Sequence, residues 1–397
     1  MTPSSSPRPR VALIGVSGYA RIYLELARTA RNNGEIDLAA AVIINPGEEM
    51  ANEAELRQKG CAIYRDYEEL LRQEAGRLDL CLIPTGIPWH ARMTLAALKA
   101  GAHVLVEKPL AGSLAEIAAI REAERATGRF VAVGFQDLYS PVNRWLKQQL
   151  CAGAIGRLHT VRFLGLWPRP TDYFTRNPWA GRLHAEGTPV LDSPLNNAFA
   201  HFVNLSLYFA GATPETAAHA RIESAELLRA NAIESFDTSL VRARSPEGIA
   251  FWFGATHTCR EIREPEIYLE GSTGRVEWKH ERSCVLVRAD GREERVLPDS
   301  TANRQSMFDA VLAKLRAPAT LVCTTALAEC HTAFVEAVHA AAQVQAVPPE
   351  LISWEQPAKG AAPVPVVSGL EDALCRAFIT QSMLRETGFA LAPSRSA

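Results

Sequence analysis

Residues 10–140 alternate short apolar runs with helix-length segments, and this alternation limits the possible folds more than any other feature of the chain. Apolar runs at 11–16, 38–44, 61–64, 79–84, 103–106 and 130–134 read as buried strands. The segments between them, at 51–59, 66–74, 88–100 and 113–127, read as helices, and Ile22, Leu26 and Ala30 recur every four residues after the first strand. Pro88 suits a helix start, where a missing N–H costs nothing, and Ser113 suits an N-cap. Strand and helix in strict turn predict a doubly wound parallel sheet, a Rossmann-type α/β domain.

The first turn of that pattern is Gly15-Val16-Ser17-Gly18-Tyr19-Ala20. Small residues are needed at three places in a dinucleotide-binding turn. The first glycine makes the tight turn, the second lets the backbone approach a pyrophosphate, and the third small residue, here Ala20, lets helix pack on strand. The helix N-terminus then offers N–H groups and a partial positive charge to the phosphates. Gly15, Ser17, Gly18, Tyr19 and Ala20 are therefore expected to bind the coenzyme. The second strand ends at Asn45-Pro46. Asn45 reads either as a partner for the ribose 2′-hydroxyl or as a turn residue, and no Arg or Lys follows it before Arg57, which tilts the expectation toward NAD over NADP.

The fifth strand runs into Glu107-Lys108-Pro109. Ligands of open α/β sheets bind beyond the carboxyl ends of the strands, so Lys108 is either a solvated strand-end charge or a placed reactive group. Composition narrows the class further. The 397 residues suggest two domains, and 47% hydrophobic with 22% charged residues is a soluble globular balance. A net charge of −2 without basic blocks argues against nucleic-acid or membrane partners. The run at 11–16 is too short for a signal or spanning segment. Eight dispersed cysteines lack any Cys-x-x-Cys pair, which fits reduced thiols in a cytoplasmic protein and no metal site.

Past residue 139 the texture changes. Residues 139–150 read as a linking helix, and 157–166, 217–228, 236–244, 248–256, 264–270, 274–279 and 283–288 as strands of a large, mostly antiparallel sheet. A long helical run follows at 323–345, then a linker rich in Ala, Pro and Gly at 356–369 and a last helix at 369–386. Within 165–211, Trp167, Tyr173, Phe174 and Trp179 interleave with Arg169, Asp172, Arg176, Asn177 and Arg182. Aromatic faces with planar hydrogen-bonding groups suit a polyhydroxylated ligand, though a packed loop or an oligomer contact would use the same residues.

Four landmarks, the Gly15 loop, Thr85-Gly86-Ile87-Pro88-Trp89-His90, Ala100-Gly101-Ala102-His103-Val104-Leu105-Val106-Glu107-Lys108-Pro109 and Val133-Gly134-Phe135-Gln136, together resemble the Gfo/Idh/MocA oxidoreductase family. The resemblance is specific over 10–140 and looser to about residue 345. It implies an NAD or NADP coenzyme, with Thr85, His90, Glu107, Lys108 and Gln136 on the coenzyme side, and Lys108 beside the nicotinamide at the substrate hydroxyl. His90 could instead cap its helix. The resemblance also implies a homodimer or homotetramer built through one face of the sheet. The chain is thus expected to divide into a flexible leader (1–9), an NAD(P)-binding Rossmann domain (10–138), a substrate and oligomerisation domain (139–349) and a C-terminal linker and helix (350–397).

The family pattern also places an Asp, a His four residues on, and a second Asp three after that. Counted back from Gly211, this chain has Asn197, His201 and Asn204 there; counted forward from Gly187, Asp192 falls on the acid and Asn196 on the His. The first register retains a histidine and is adopted. His201 is then the general base, on one helical face with Asn197. With Asn in place of Asp beside it, His201 is expected to lack an electrostatic partner unless Asp192 folds back toward it. Trp179, Arg182, Asp192 and Asn197 are expected to contact substrate. The activity implied is NAD(P)-dependent oxidation or reduction of a hydroxyl on a sugar, cyclitol or sugar acid. The alternatives are NAD-dependent glycoside cleavage or elimination without net redox, and a non-catalytic sugar- or nucleotide-sensing protein.

Overall fold

Most residues of the apolar runs in the first third are buried, and the runs line up side by side. The computed structural model describes residues 7–356 and 360–391, and divides into two compact units. The first extends to Phe135 and also takes in Arg304–Ala328; the second holds Gln136–Asn303 and the chain from Glu329 onward. Of the expected leader, residues 1–6 lie outside the described residues, as do 357–359 of the expected linker.

In the first unit, β1 (Arg10–Ile14), β2 (Asp37–Val42), β3 (Ala62–Tyr64), β4 (Leu80–Ile83), β5 (His103–Val106) and β6 (Val131–Val133) form a parallel sheet in the order β3-β2-β1-β4-β5-β6. The order reverses direction between β1 and β4, which is the switch point where such sheets open a crevice. The intervening helices are α1 (Ala20–Asn32), α2 (Met50–Gln58), α3 (Tyr67–Gln73), α4 (Ile87–Lys99) and α5 (Leu114–Thr127). Their ends follow capping chemistry: Asp66 accepts from the Glu69 N–H, Ser113 accepts from the Glu116 N–H, and Gly128 closes α5 in the left-handed conformation. The edge of β6 is not left bare. Ala132 pairs with Thr324, and the Val133 N–H donates to the Cys323 carbonyl at 2.9 Å. A helix from residue 323 was expected; the chain is still extended at Cys323, because it is pairing with that edge.

The second unit opens with a short 3-10 turn (Gln136–Tyr139) and α6 (Pro141–Cys151). Then come β7 (Leu158–Leu166), a two-residue hairpin β8 (His184–Ala185) and β9 (Thr188–Pro189), and α7 (Ala200–Phe209). The strands β10 (Arg221–Arg229), β11 (Thr238–Arg244), β12 (Ala250–Thr256), β13 (Arg263–Gly271), β14 (Arg275–Lys279), β15 (Ser283–Arg288) and β16 (Gly291–Val296) follow. Past the helices α8 (Ser300–Arg316) and α9 (Thr325–Ala341), β17 (Val344–Ala346) completes a nine-stranded sheet in the order β16-β15-β14-β13-β7-β12-β11-β10-β17. Only the β7–β12 and β10–β17 pairs are parallel. Edge strand β16, not anticipated, is mostly exposed and carries Arg292–Glu294 and Arg295–Glu293 ion pairs, charges that discourage edge-to-edge association.

Residues 352–384 are more than a linker and an appended helix. The hairpin of β18 (Ile352–Glu355) and β19 (Val364–Val367) leads into α10 (Leu370–Thr380). Leu370, Leu374, Ala377 and Phe378 of α10 join Leu164, Leu166, Leu228, Leu240 and Trp252 of the large sheet in one buried cluster. Polar contacts fix it there: the Trp252 indole N–H donates to the Ser382 carbonyl at 2.9 Å and Arg162 to the Phe378 carbonyl at 2.9 Å. All eight cysteines are free thiols. Burial pushes the thiols of Cys61, Cys81 and Cys284 up to about 12 and leaves them unreactive.

Candidate active site

The loop after β1 shows why its small residues stand where they do. Gly15 has φ +99 and a Cβ built on it would lie 3.7 Å from the Ala20 Cβ, so turn and helix are in contact there. Gly18 has φ +58, and nothing lies within 4 Å of where its Cβ would be. The backbone at Gly18 is thus open to close approach, which is what a pyrophosphate needs. The Ser17 carbonyl accepts from the Ala20 N–H at 3.1 Å and starts α1, whose first turn carries no acidic residue. Tyr19 is exposed, with the Arg304 guanidinium 6.0 Å from its ring centroid. The open Gly18 backbone, the helix N-terminus and the lack of an acid there fit the phosphates of a dinucleotide. Asn45 is an exposed turn residue whose carbonyl accepts from the Glu48 and Glu49 N–H groups.

At the end of β5 the Glu-Lys-Pro loop is held from two sides. Glu107 is buried; its carboxylate accepts from the Tyr23 hydroxyl at 2.7 Å and from the Lys108 N–H at 3.0 Å, and burial raises its pKa. His90 of α4 is also buried, with Nδ1 2.6 Å from the Pro109 carbonyl and Nε2 3.0 Å from the Thr85 carbonyl. It faces the carbonyls that follow β4 and β5 and does not cap α4. Burial, reinforced by Lys108, lowers its pKa and keeps it neutral. Lys108 itself is half-buried and precedes a cis Pro109.

Gly134 makes the Glu107 geometry possible. A Cβ there would come within 2.8 Å of Glu107 Oε1 and 3.2 Å of its Cα. Gly134→Ala is therefore expected to push the carboxylate off Tyr23 and destabilise the first unit by about 1–3 kcal/mol, as overpacking does. A melting curve checks this. An unchanged midpoint would mean that Glu107 is not held as described.

In the second unit, Asp192 is buried and organises the loop ahead of α7. Its carboxylate accepts from the Gly181 N–H at 2.6 Å and from Asn197 Nδ2 at 2.9 Å. The expected i, i+4 helical face of Asn197 and His201 does not form. The helix starts only at Ala200, and Asn197 sits in the turn before it, where its own N–H is bound to the Ser193 carbonyl. Asp192 thus folds back onto Asn197, and the two competing register counts describe neighbouring parts of one loop. Asn196 is buried and caps the Val190 carbonyl at 2.8 Å.

His201, the second residue of α7, has a carboxylate partner. Its Nδ1 lies 3.7 Å from Oδ2 of Asp137. The expectation that it lacks one is overturned, because Asp137 comes from a turn distant in sequence. Its ring neighbour Phe202, 6.4 Å away, belongs to an aromatic cluster with Trp167, Phe199 and His257, in which Trp167 and His257 each stack on Phe199 at 4.8 and 5.4 Å. Next to this cluster, guanidinium and aromatic groups alternate. Arg169 lies over Trp167 and Tyr173, and Arg176 over Tyr173 and Trp179. Arg182 is mostly exposed and engages Glu234. Gln136 is buried at the start of the second unit. Asp137 and Arg304 were missed by sequence reasoning. No local pattern marks either, since their neighbours at the site are far along the chain. Among the described residues, no group of three or more His, Cys, Asp or Glu could hold a metal, and no helix is long and apolar enough to cross a membrane.

A six-stranded parallel sheet with a glycine turn at its switch point defines a dinucleotide-binding protein. Residues 9–135 match the model of the oxidoreductase family with an NAD-binding Rossmann fold, GFO_IDH_MocA. The match to that family is confined to this domain, about a third of the chain. It is 33% identical over 152 residues to dTDP-3,4-didehydro-2,6-dideoxy-alpha-D-glucose 3-reductase of Streptomyces violaceoruber, a match covering 38% of this chain and 43% of that one. It is 35% identical over 116 residues to inositol 2-dehydrogenase of Rubrobacter xylanophilus, covering 29% and 32%. The chain thus spans less than half the length of these two relatives. Solved structures share the fold over more of it. The WlbA dehydrogenase from Bordetella pertussis, in complex with NADH and UDP-GlcNAcA, has a TM-score of 0.71 at 20% identity, covering 85% of this chain and 96% of that one. KijD10, a 3-ketoreductase from Actinomadura kijaniata, in complex with NADP and TDP-benzene, has a TM-score of 0.66 at 18% identity, covering 86% and 100%.

Proposed function

We propose that the chain is an NAD(P)-dependent oxidoreductase of CH–OH groups on a sugar, cyclitol or sugar acid. The observation that carries this is Lys108 at the carboxyl end of β5, on a loop that Glu107 and His90 hold in place. The bound coenzyme supplies the hydride acceptor. Lys108 donates a hydrogen bond to the hydroxyl oxygen and stabilises the negative charge that develops there. His201 accepts the hydroxyl proton. NAD is preferred over NADP, because Asn45 offers no cation to a 2′-phosphate and the nearby Glu49 carboxylate already engages Arg21.

The alternating stack of Arg169 and Arg176 with Trp167, Tyr173 and Trp179 supports an acidic member of the substrate class. Guanidinium groups bind carboxylate or phosphate with directed hydrogen bonds, and the aromatic faces take sugar C–H groups. The relatives act on or bind cyclitols and nucleotide-linked sugars, one of them the acidic UDP-GlcNAcA. The test is a panel of sugars, cyclitols, uronates and nucleotide-linked sugars with NAD or NADP, followed through the absorbance of the reduced nicotinamide. Turnover that is faster with acidic members and with NAD is expected. Tight coenzyme binding without turnover across the panel would refute the enzymatic reading.

A further inference from the structure

We propose that Asp137 is a positioning residue for His201, orienting the imidazole and stabilising it once it has taken a proton. The inference rests on the reading of His201 as the base. Oδ2 of Asp137 lies 3.7 Å from His201 Nδ1, and the two side chains are 5% and 13% exposed, so the charge is poorly screened by water. The carboxylate is held in place from behind. Asn303 Nδ2 donates to its other oxygen at 2.8 Å, and Asn143 Nδ2 donates to the Asp137 carbonyl at 2.8 Å. Asn143 is fixed in turn, as its Oδ1 accepts the Trp278 indole N–H at 2.8 Å. Asn143, Trp278 and Asn303 are all buried.

The position of His201 makes a counter-charge necessary. It stands in the first turn of α7, where the helix dipole disfavours an imidazolium. A carboxylate this close favours the charged imidazole and so opposes the dipole. Several charged groups on the elements packed against α7 have partners elsewhere, while Glu270 of β13 and His159 of β7 are further titratable groups there. On α6, Lys147 donates to the Tyr208 and Gly211 carbonyls at the far end of the helix, and Arg144 lies over the Tyr139 ring. On β7, Arg162 binds the Phe378 carbonyl; on β13, Arg263 pairs with Glu266. Glu264 accepts from the Trp167 indole.

The experiment is an NMR titration of histidine-labelled full-length protein without coenzyme, beside the pH profile of turnover. In Asp137→Asn the His201 midpoint is expected to fall by about 1–3 units, and the acid limb of kcat/KM to move with it. Asp137→Glu should restore both in part, which a merely structural role would not do. In the unaltered protein, the Asp137 carboxyl carbon should sense the same midpoint as the His201 ring, a readout that needs no variant to fold. An unmoved His201 midpoint in Asp137→Asn, or an Asp137 carboxyl blind to His201, overturns the inference. His201→Ala judges the base separately: if it turns over normally, the role of His201 falls while a measured Asp137–His201 coupling still stands as fact.

Discussion

Lys108→Met is expected to lower kcat by about 10²–10³-fold while coenzyme affinity stays within a few-fold, the size of effect seen when one donor to a developing oxyanion is removed. The methionine keeps the length of the side chain and removes the ammonium, so the loop should hold. Its two anchors, the Glu107 carboxylate on the residue-108 N–H and His90 near the Pro109 carbonyl, do not use the lysine side chain. One secondary effect follows. Lys108 is the largest influence opposing the rise in the Glu107 pKa, so without it this buried carboxyl holds a proton to still higher pH. A loss confined to KM would mean that Lys108 binds ground and transition states alike, and full activity would remove it from the chemistry. His201→Ala should cost about 10²–10⁴-fold by the separate route of losing the base.

Ending the chain at Glu355 should produce a protein that aggregates or fails to fold. That cut removes Leu370, Leu374, Ala377 and Phe378 from over Trp252, Leu164, Leu166, Leu228 and Leu240. Each large side chain so exposed forfeits about 1.5–3 kcal/mol, and a domain has only about 5–15 kcal/mol of net stability. Leu374→Ala is the milder form, with an expected cost of about 2–5 kcal/mol. Size-exclusion chromatography, dye binding and melting measure both. A shortened chain that stays soluble with an unchanged midpoint would show that the cluster contributes little. The same packing bears on association. Where α10 lies over β7, β10, β11 and β12, the sheet is not open to a second copy.

What could be read from sequence tracks how local the signal was. The βα alternation, the Gly15 turn, the Ser113 cap and seven strands of the large sheet each rest on a pattern within a dozen residues, and each stands close to where it was placed. Strand β16 was not legible because Gly-Arg-Glu-Glu-Arg-Val has no apolar alternation; its pairing comes from β15. The return of 304–328 to the first unit depends on edge pairing near Cys323, which composition does not encode. The register around His201 failed for a related reason. Asn197 looked helical by spacing, but Asp192 and Ser193 claim its polar groups and delay the helix to Ala200. The partner of His201 lies 64 positions earlier, beyond the reach of any periodicity argument.

A neutral imidazole carries a single N–H, yet the His90 ring faces two carbonyls, Pro109 at 2.6 Å and Thr85 at 3.0 Å. Only one of them can receive a hydrogen bond at a time, and the other meets a lone pair. The loops that end β4 and β5 are therefore secured by one shared proton. Tautomer exchange releases one as it fastens the other, so the segment carrying Lys108 and the segment carrying Thr85 cannot both be at their tightest together.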